Sequence, residues 1–236
     1  MGARKKQSTL SKSAFIRSLQ CLKSLYLYKN YYTFRDAPSP QLLTRFRQGI
    51  DIGKLAWKLF PQGIDVHPLS FYPSGIAKAV EQTRECLSVG NIVLYEASLM
   101  HRQAINILDI LEKKEEKIYA YEVKSSALIS ETYLLDAAFQ YYVMKGSGYQ
   151  PEQFFMIHLK EGYGSDSQDI ASLRSTDVTE RLIERYDYIE EHVSKALQAF
   201  TDNSLLQIQP GDQCGKPYLC DFFGYCNRQF KRQNLL

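Results

Sequence analysis

At 236 residues, 44% hydrophobic and 13% aromatic, the chain is long enough for one substantial packed domain and too apolar to be disordered. Its net charge of +3 is too mild to name a partner, although Arg4-Lys5-Lys6 in front and Arg228, Lys231 and Arg232 behind gather basic charge at the two ends. No apolar run is long enough to cross a membrane, and the basic start runs into QSTLSKS, which argues against a secretory signal. A cytoplasmic protein is expected, with its five cysteines as free thiols or metal ligands rather than disulfides.

Ser11–Lys29 has helical spacing through Phe15, Leu19, Leu22 and Tyr26, with Ser11 or Ser13 as N-cap and Cys21 inside. Pro38 and Pro40 interrupt, and residues 41–60 resume the helical period until Pro61, with Gly49 and Gly53 weakening it. Ser74–Leu87 predicts a further helix. The period then shortens: Asn91–Met100, Ala104–Glu112 and Lys117–Lys124 read as three antiparallel strands. Glu131–Lys145 returns to a helix, Glu152–Lys160 reads as a strand and Gly162–Asp169 as a polar loop. Asp177–Phe200 is expected to be the longest helix, opened by an Asp177…Glu180 capping box. From Pro210 the tail shows little periodicity. The order predicts one α/β domain, a central mixed sheet flanked by helices. It divides into a helical part at 11–90, a core at 91–160, a loop and long helix at 161–209 and a cysteine-rich tail at 210–236.

Two constellations carry chemistry. In Lys117–Lys124, Ile118, Ala120, Glu122 and Lys124 share one face of the strand, and Tyr119, Tyr121 and Val123 the other. A carboxylate and an ammonium among buried-type residues are expensive to desolvate, and the hairpin can bring Asp109 beside them. Asp109 and Glu122, with the Val123 carbonyl, would suit a hard divalent cation such as Mg²⁺ for phosphodiester hydrolysis. An exposed hairpin with a surface Glu–Lys pair is the alternative for these residues alone. The second constellation is Cys214, Cys220 and Cys226, spaced six apart, with Cys21 far upstream. Four thiolates so distributed suit an iron–sulfur cluster, with zinc as the alternative.

Asp109, Glu122-Val123-Lys124, and Gln140 with Tyr141 or Tyr142 in DAAFQYY together resemble the PD-(D/E)XK nuclease superfamily, in its RecB-like branch. The early Cys21, the LSKS start (Leu10–Ser13), Tyr95-Glu96-Ala97 and the CGKPYLC segment sharpen this. They resemble the branch members with an iron–sulfur staple, among them CRISPR-associated adaptation nucleases and AddB-type nucleases, and above all a less characterised bacterial family. The resemblance implies a restriction-endonuclease-like core whose two ends are joined by a Cys₄ cluster. It implies a deoxyribonuclease using Mg²⁺ or Mn²⁺ on Asp109 and Glu122, with Lys124 positioning water or stabilising phosphate charge and Gln140 and Tyr141 near the substrate. It also implies a [4Fe–4S] cluster on Cys21, Cys214, Cys220 and Cys226. DNA, single-stranded or with free ends, is the implied partner, alongside a helicase or a defence or repair protein.

Many relatives carry a metal-binding histidine on an early helix, where this chain has Gly53. Glu96 is the expected substitute. A DNA-binding or assembly subunit without turnover, or a redox-sensing iron–sulfur protein, are the rival readings. His67, His101, His158, His192 and Cys86 are expected to be structural or surface residues. Asp136 is expected on the helix surface or supporting the site, and Ser125 and Ser126 could meet phosphate.

Overall fold

The computed structural model describes residues 9–233, except for the side chains of 232 and 233. Arg4, Lys5, Lys6 and the Arg232 side chain, four of the basic residues at the two ends, lie outside the described residues. In chain order the elements are β1 (Leu10–Ser11), α1 (Lys12–Gln20), α2 (Leu22–Asn30), α3 (Pro40–Trp57), β2 (Ile64–Asp65) and α4 (Pro73–Ser88). They continue with β3 (Ile92–His101), β4 (Ala104–Lys114), β5 (Lys117–Lys124), α5 (Glu131–Gly146), β6 (Gln153–Leu159) and β7 (Leu173–Asp177). α6 (Thr179–Ile183), α7 (Tyr186–Gln198) and α8 (Phe223–Gln233) complete the chain.

The strands form one mixed sheet in the order β2-β3-β4-β5-β6-β7. The β3–β4 and β4–β5 pairs are antiparallel and β5–β6 is parallel. A two-residue turn at Glu115-Glu116, both at positive φ (50° and 63°), closes the β4–β5 hairpin. The Asn91 carboxamide accepts the Glu115 N–H at 2.8 Å and holds this turn. β3 pairs with β4 along its whole length, so β1, paired at Leu10↔Ala104, takes the β4 edge on the β5 side.

One sheet face carries the main core. Leu94, Leu108, Leu111, Ala120 and Phe154 pack there beneath Phe15 of α1, Phe139 and Tyr142 of α5 and Ile189 of α7. Phe15 and Phe139 stack at 4.8 Å, which locks α1 onto α5. The other face is covered by the last turns of α3, where Ile52, Leu55 and Ala56 meet Tyr95, Ile110 and Ile157. α4 runs along β3, and its Thr83 hydroxyl accepts the Ser98 N–H at 3.0 Å.

Several expectations need correction. The helix expected over Ser11–Lys29 is two helices, broken at Cys21, whose backbone is extended (φ −165°, ψ 119°). Ser11 does cap α1, accepting the Ala14 N–H. The helix expected over Asp177–Phe200 is also broken, after Ile183, and the longest described helix is α3, at 18 residues. Asp177 ends β7 instead of opening a capping box: its carboxylate accepts the Thr179 N–H at 2.9 Å and hydroxyl at 2.6 Å. β7 itself was not anticipated, because only Leu173 of its five residues is buried and no alternation shows. The tail beyond Phe222 forms α8, a helix that the sequence reading does not anticipate.

Candidate active site

The ladders around β4 part at one row. β3 and β4 pair at Tyr95↔Ile110 and Ala97↔Leu108, leaving Glu96 opposite Asp109 between them, and Glu96 has φ +56°. β4 and β5 pair as far as Ile110↔Tyr121, so the next step sets Asp109 opposite Glu122. There the Asp109 carboxylate accepts the Val123 N–H at 2.6 Å. Glu96, Asp109 and Glu122 thus form one row across three strands. Beyond it β1 occupies the β4 edge, and Lys12, the next residue, reaches the row from the N-terminus of α1.

Lys12 Nζ donates to Glu122 Oε1 at 2.7 Å, and Lys124 Nζ donates to the same oxygen at 2.6 Å. Lys124 also donates to Asp136 of α5, from which Lys12 Nζ stands 3.7 Å away. The Lys124 ammonium lies 5.0 Å from the centre of the Tyr133 ring. Burial works against the charge of Glu122, but Lys12 and Lys124 outweigh it and hold the carboxyl well below its ordinary range. Burial likewise opposes Lys124, but Asp136 and Glu122 keep it firmly charged, and Lys12 is raised by Asp136, Glu122 and Asp109 in the same way. Asp109 goes the other way: burial and the Glu122 charge push it up to about 8. Glu96 is also raised, by burial, although His67 and Lys12 pull it back.

Glu122 Oε2 is buried with no hydrogen-bond partner. An acidic row with an unpartnered carboxylate oxygen fits a hard divalent cation. Among the described residues no group of three or more His, Cys, Asp or Glu side chains is placed to hold a metal ion by itself. A cation here would draw on the Val123 carbonyl and on water or substrate as well.

Asp136 faces the site and not solvent, at 7% exposure. Gln140 follows it one helical turn later, fully buried, with neither end of its carboxamide partnered. Tyr141 and Tyr142 are buried in the main core. His67 Nδ1 lies 3.6 Å from Glu96 Oε2, while His158 is buried with both ring nitrogens bonded, to the Leu159 carbonyl and the Thr176 hydroxyl. Ser126 makes only local bonds with Leu128 through its hydroxyl. Lys12 is the residue that sequence reasoning missed.

The second constellation converges as well. Cys21, Cys214, Cys220 and Cys226 line one small cavity, together with Lys23 and Phe222. The Cys21 break in α1–α2 turns that residue toward the tail, and the Cys220 N–H donates to the Cys214 carbonyl at 2.8 Å. Arg17 of α1 clasps Asp221 through both terminal nitrogens, and Arg35 Nε stands 2.8 Å from the same carboxylate. Burial pushes Cys21 up and Cys226 up to about 11, with the Lys23 ammonium opposing and the neighbouring thiols reinforcing the rise at Cys226. The four thiols share this lining with no histidine or carboxylate, a donor set of soft-metal type, although no three of them are placed to hold a metal ion by themselves. Cys86 packs against the main core, apart from this group.

The fold is thus a mixed α/β sheet with an acidic row at the mouth of a split between two central strands. In sequence the chain matches no family profile and no curated protein. Its structure is similar to that of a candidate exonuclease from Eubacterium rectale, with TM-score 0.40 and 12% identity over 85% of this chain and 87% of that one. It is also similar to an alkaline exonuclease from Laribacter hongkongensis, with TM-score 0.36 and 12% identity over 97% of this chain and 96% of that one. These likenesses are too distant to carry a functional argument. Among the described residues no helix is long and apolar enough to cross a membrane.

Proposed function

We propose that the protein is a metal-dependent nuclease that hydrolyses phosphodiester bonds in DNA, acting on single strands or free ends. The observation that carries this reading is the half-buried Asp109 opposite the buried Glu122, with Lys124 donating to Glu122 at 2.6 Å. Mg²⁺ or Mn²⁺, held by Asp109, Glu122 and the Val123 carbonyl with Glu96 next in the row, would supply the Lewis-acid chemistry for attack of water on phosphate.

The protein's own groups prepare that step. Lys124 is pinned by Glu122 and Asp136, which keep it charged against burial. Its role is to hold negative charge as it develops on the phosphate. Asp136 and the Tyr133 ring orient that ammonium. Gln140 and Tyr141, both buried on α5 beyond Asp136, would orient this side of the site or meet the substrate.

The same reading assigns Cys21, Cys214, Cys220 and Cys226 to a structural cluster, [4Fe–4S] in preference to zinc. Its support is the single cavity that the four thiols line at the junction of the two ends of the chain.

The test uses anaerobically purified protein with Mn²⁺ and two labelled substrates, linear and circular single-stranded DNA. Loss of the linear strand with the circle spared is the expected result. DNA binding with neither substrate cut would replace this reading with that of a DNA-binding subunit.

A further inference from the structure

Resting on the nuclease reading, we propose that Lys12 is a tethered counter-ion of Glu122, and that a divalent cation occupies the acidic row in competition with the Lys12 ammonium.

The placement of Lys12 runs against its local preference. It is the first residue of α1, where the helix dipole disfavours a cation and where no acidic side chain stands in the first turn. What holds it there is Glu122 of the row at 2.7 Å and Asp136 of α5 at 3.7 Å, in the gap that β5 leaves beside β4. The two lysines on Glu122 Oε1 are not equivalent. Lys124 has a second close carboxylate in Asp136, an aromatic ring beside it and 14% side-chain exposure. Lys12 has one close anchor and 27% exposure. When a divalent cation enters, its charge repels both ammoniums, and the one with a single close carboxylate and the more exposed side chain is Lys12. Its departure leaves Glu122 Oε1 with the Lys124 bond alone, beside an Oε2 that is already unpartnered. Metal affinity is therefore set by a side chain that comes from outside the β4–β5 hairpin.

The test measures Mn²⁺ binding without DNA, by electron paramagnetic resonance of the free ion, on the full chain. Wild type, Lys12→Met, Lys12→Arg and Glu122→Gln are compared. Lys12→Met is expected to bind Mn²⁺ about tenfold more tightly than wild type, and Lys12→Arg, which keeps the charge, to within about twofold of wild type. Equal or weaker binding by Lys12→Met, with Glu122→Gln abolishing it, overturns this inference and leaves the nuclease reading standing. No Mn²⁺ binding by any of the four overturns both. A second measurement needs no variant: reductive methylation of Lys12 in wild type is expected to accelerate when Mn²⁺ is added, and an unchanged rate overturns the competition even if Lys12→Met does not fold.

Discussion

Asp109 and Glu122 face each other one step beyond the last ladder pair of β4 and β5, and the Asp109 carboxylate takes the Val123 N–H that the parted backbones no longer share. The sheet thereby opens where the carboxylates sit, and the opening admits Lys12. Two carboxylates side by side in one row cannot both ionise freely. The lysines settle which one does: both donate to Glu122, so Glu122 is held charged and Asp109 is pushed up to about 8.

This asymmetry has a stability consequence in the absence of added metal. Folded Asp109 keeps its proton up to about 8, whereas its ordinary value is 3.8. Its contribution is therefore fully present below about pH 4 and is lost as pH rises toward 8. Asp109→Asn removes the charge that burial disfavours and keeps an oxygen for the Val123 N–H. In EDTA the variant is expected to exceed wild type by roughly 1–3 kcal/mol at pH 8 and to match it near pH 4. Urea melts across that range check it, and a variant no more stable at pH 8 contradicts it.

The clasp of Arg17 and Arg35 on Asp221 ties α1 to the segment between Cys220 and α8. A bidentate, partly buried pair is worth more than a surface one. Asp221→Asn should lower stability by about 1–2 kcal/mol in a denaturant melt. A change within experimental scatter would mean that the cysteine segment is held by its other contacts.

The proposed cluster would close a loop of nearly the whole chain from Cys21 to the tail, and the length-dependent part of that closure is on the order of 5 kcal/mol. Wild type purified anaerobically is expected to show a broad absorbance near ~400 nm, and Cys214→Ser to lack it and to melt at a clearly lower temperature. An unchanged melting temperature in a colourless variant would remove the structural role.

Gly53 lies inside α3 with nothing within 4 Å of where a Cβ would stand. Gly53→Ala should therefore stabilise the protein, by about 0.5–1 kcal/mol, as read by thermal unfolding. The gain would show that no contact in the fold requires glycine at this position.

How much of this was legible depends on how local the signal is. β5 is readable to its end residues because Ile118, Ala120 and Glu122 alternate with half-exposed neighbours over a full strand. Asp109 and Glu122 could be paired because a hairpin joins them. Lys12 could not, since 110 residues separate it from its partner; its one sign is a cation at a helix N-terminus, a local rule broken where the site needs it. The breaks at Cys21 and after Ile183 carry neither glycine nor proline, so the periodic apolar residues run across them unmarked. β7 escapes because a polar edge strand is specified by its partner β6 and not by its own pattern.

The most direct measurement is cleavage of end-labelled single-stranded DNA by wild type, Asp109→Asn, Glu122→Gln and Lys124→Met, with Mn²⁺ and with EDTA. The account predicts cleavage by wild type only with Mn²⁺, and a loss of about a hundredfold or more in each variant. Equal cleavage by wild type and all three variants, or cleavage that persists in EDTA, would contradict it.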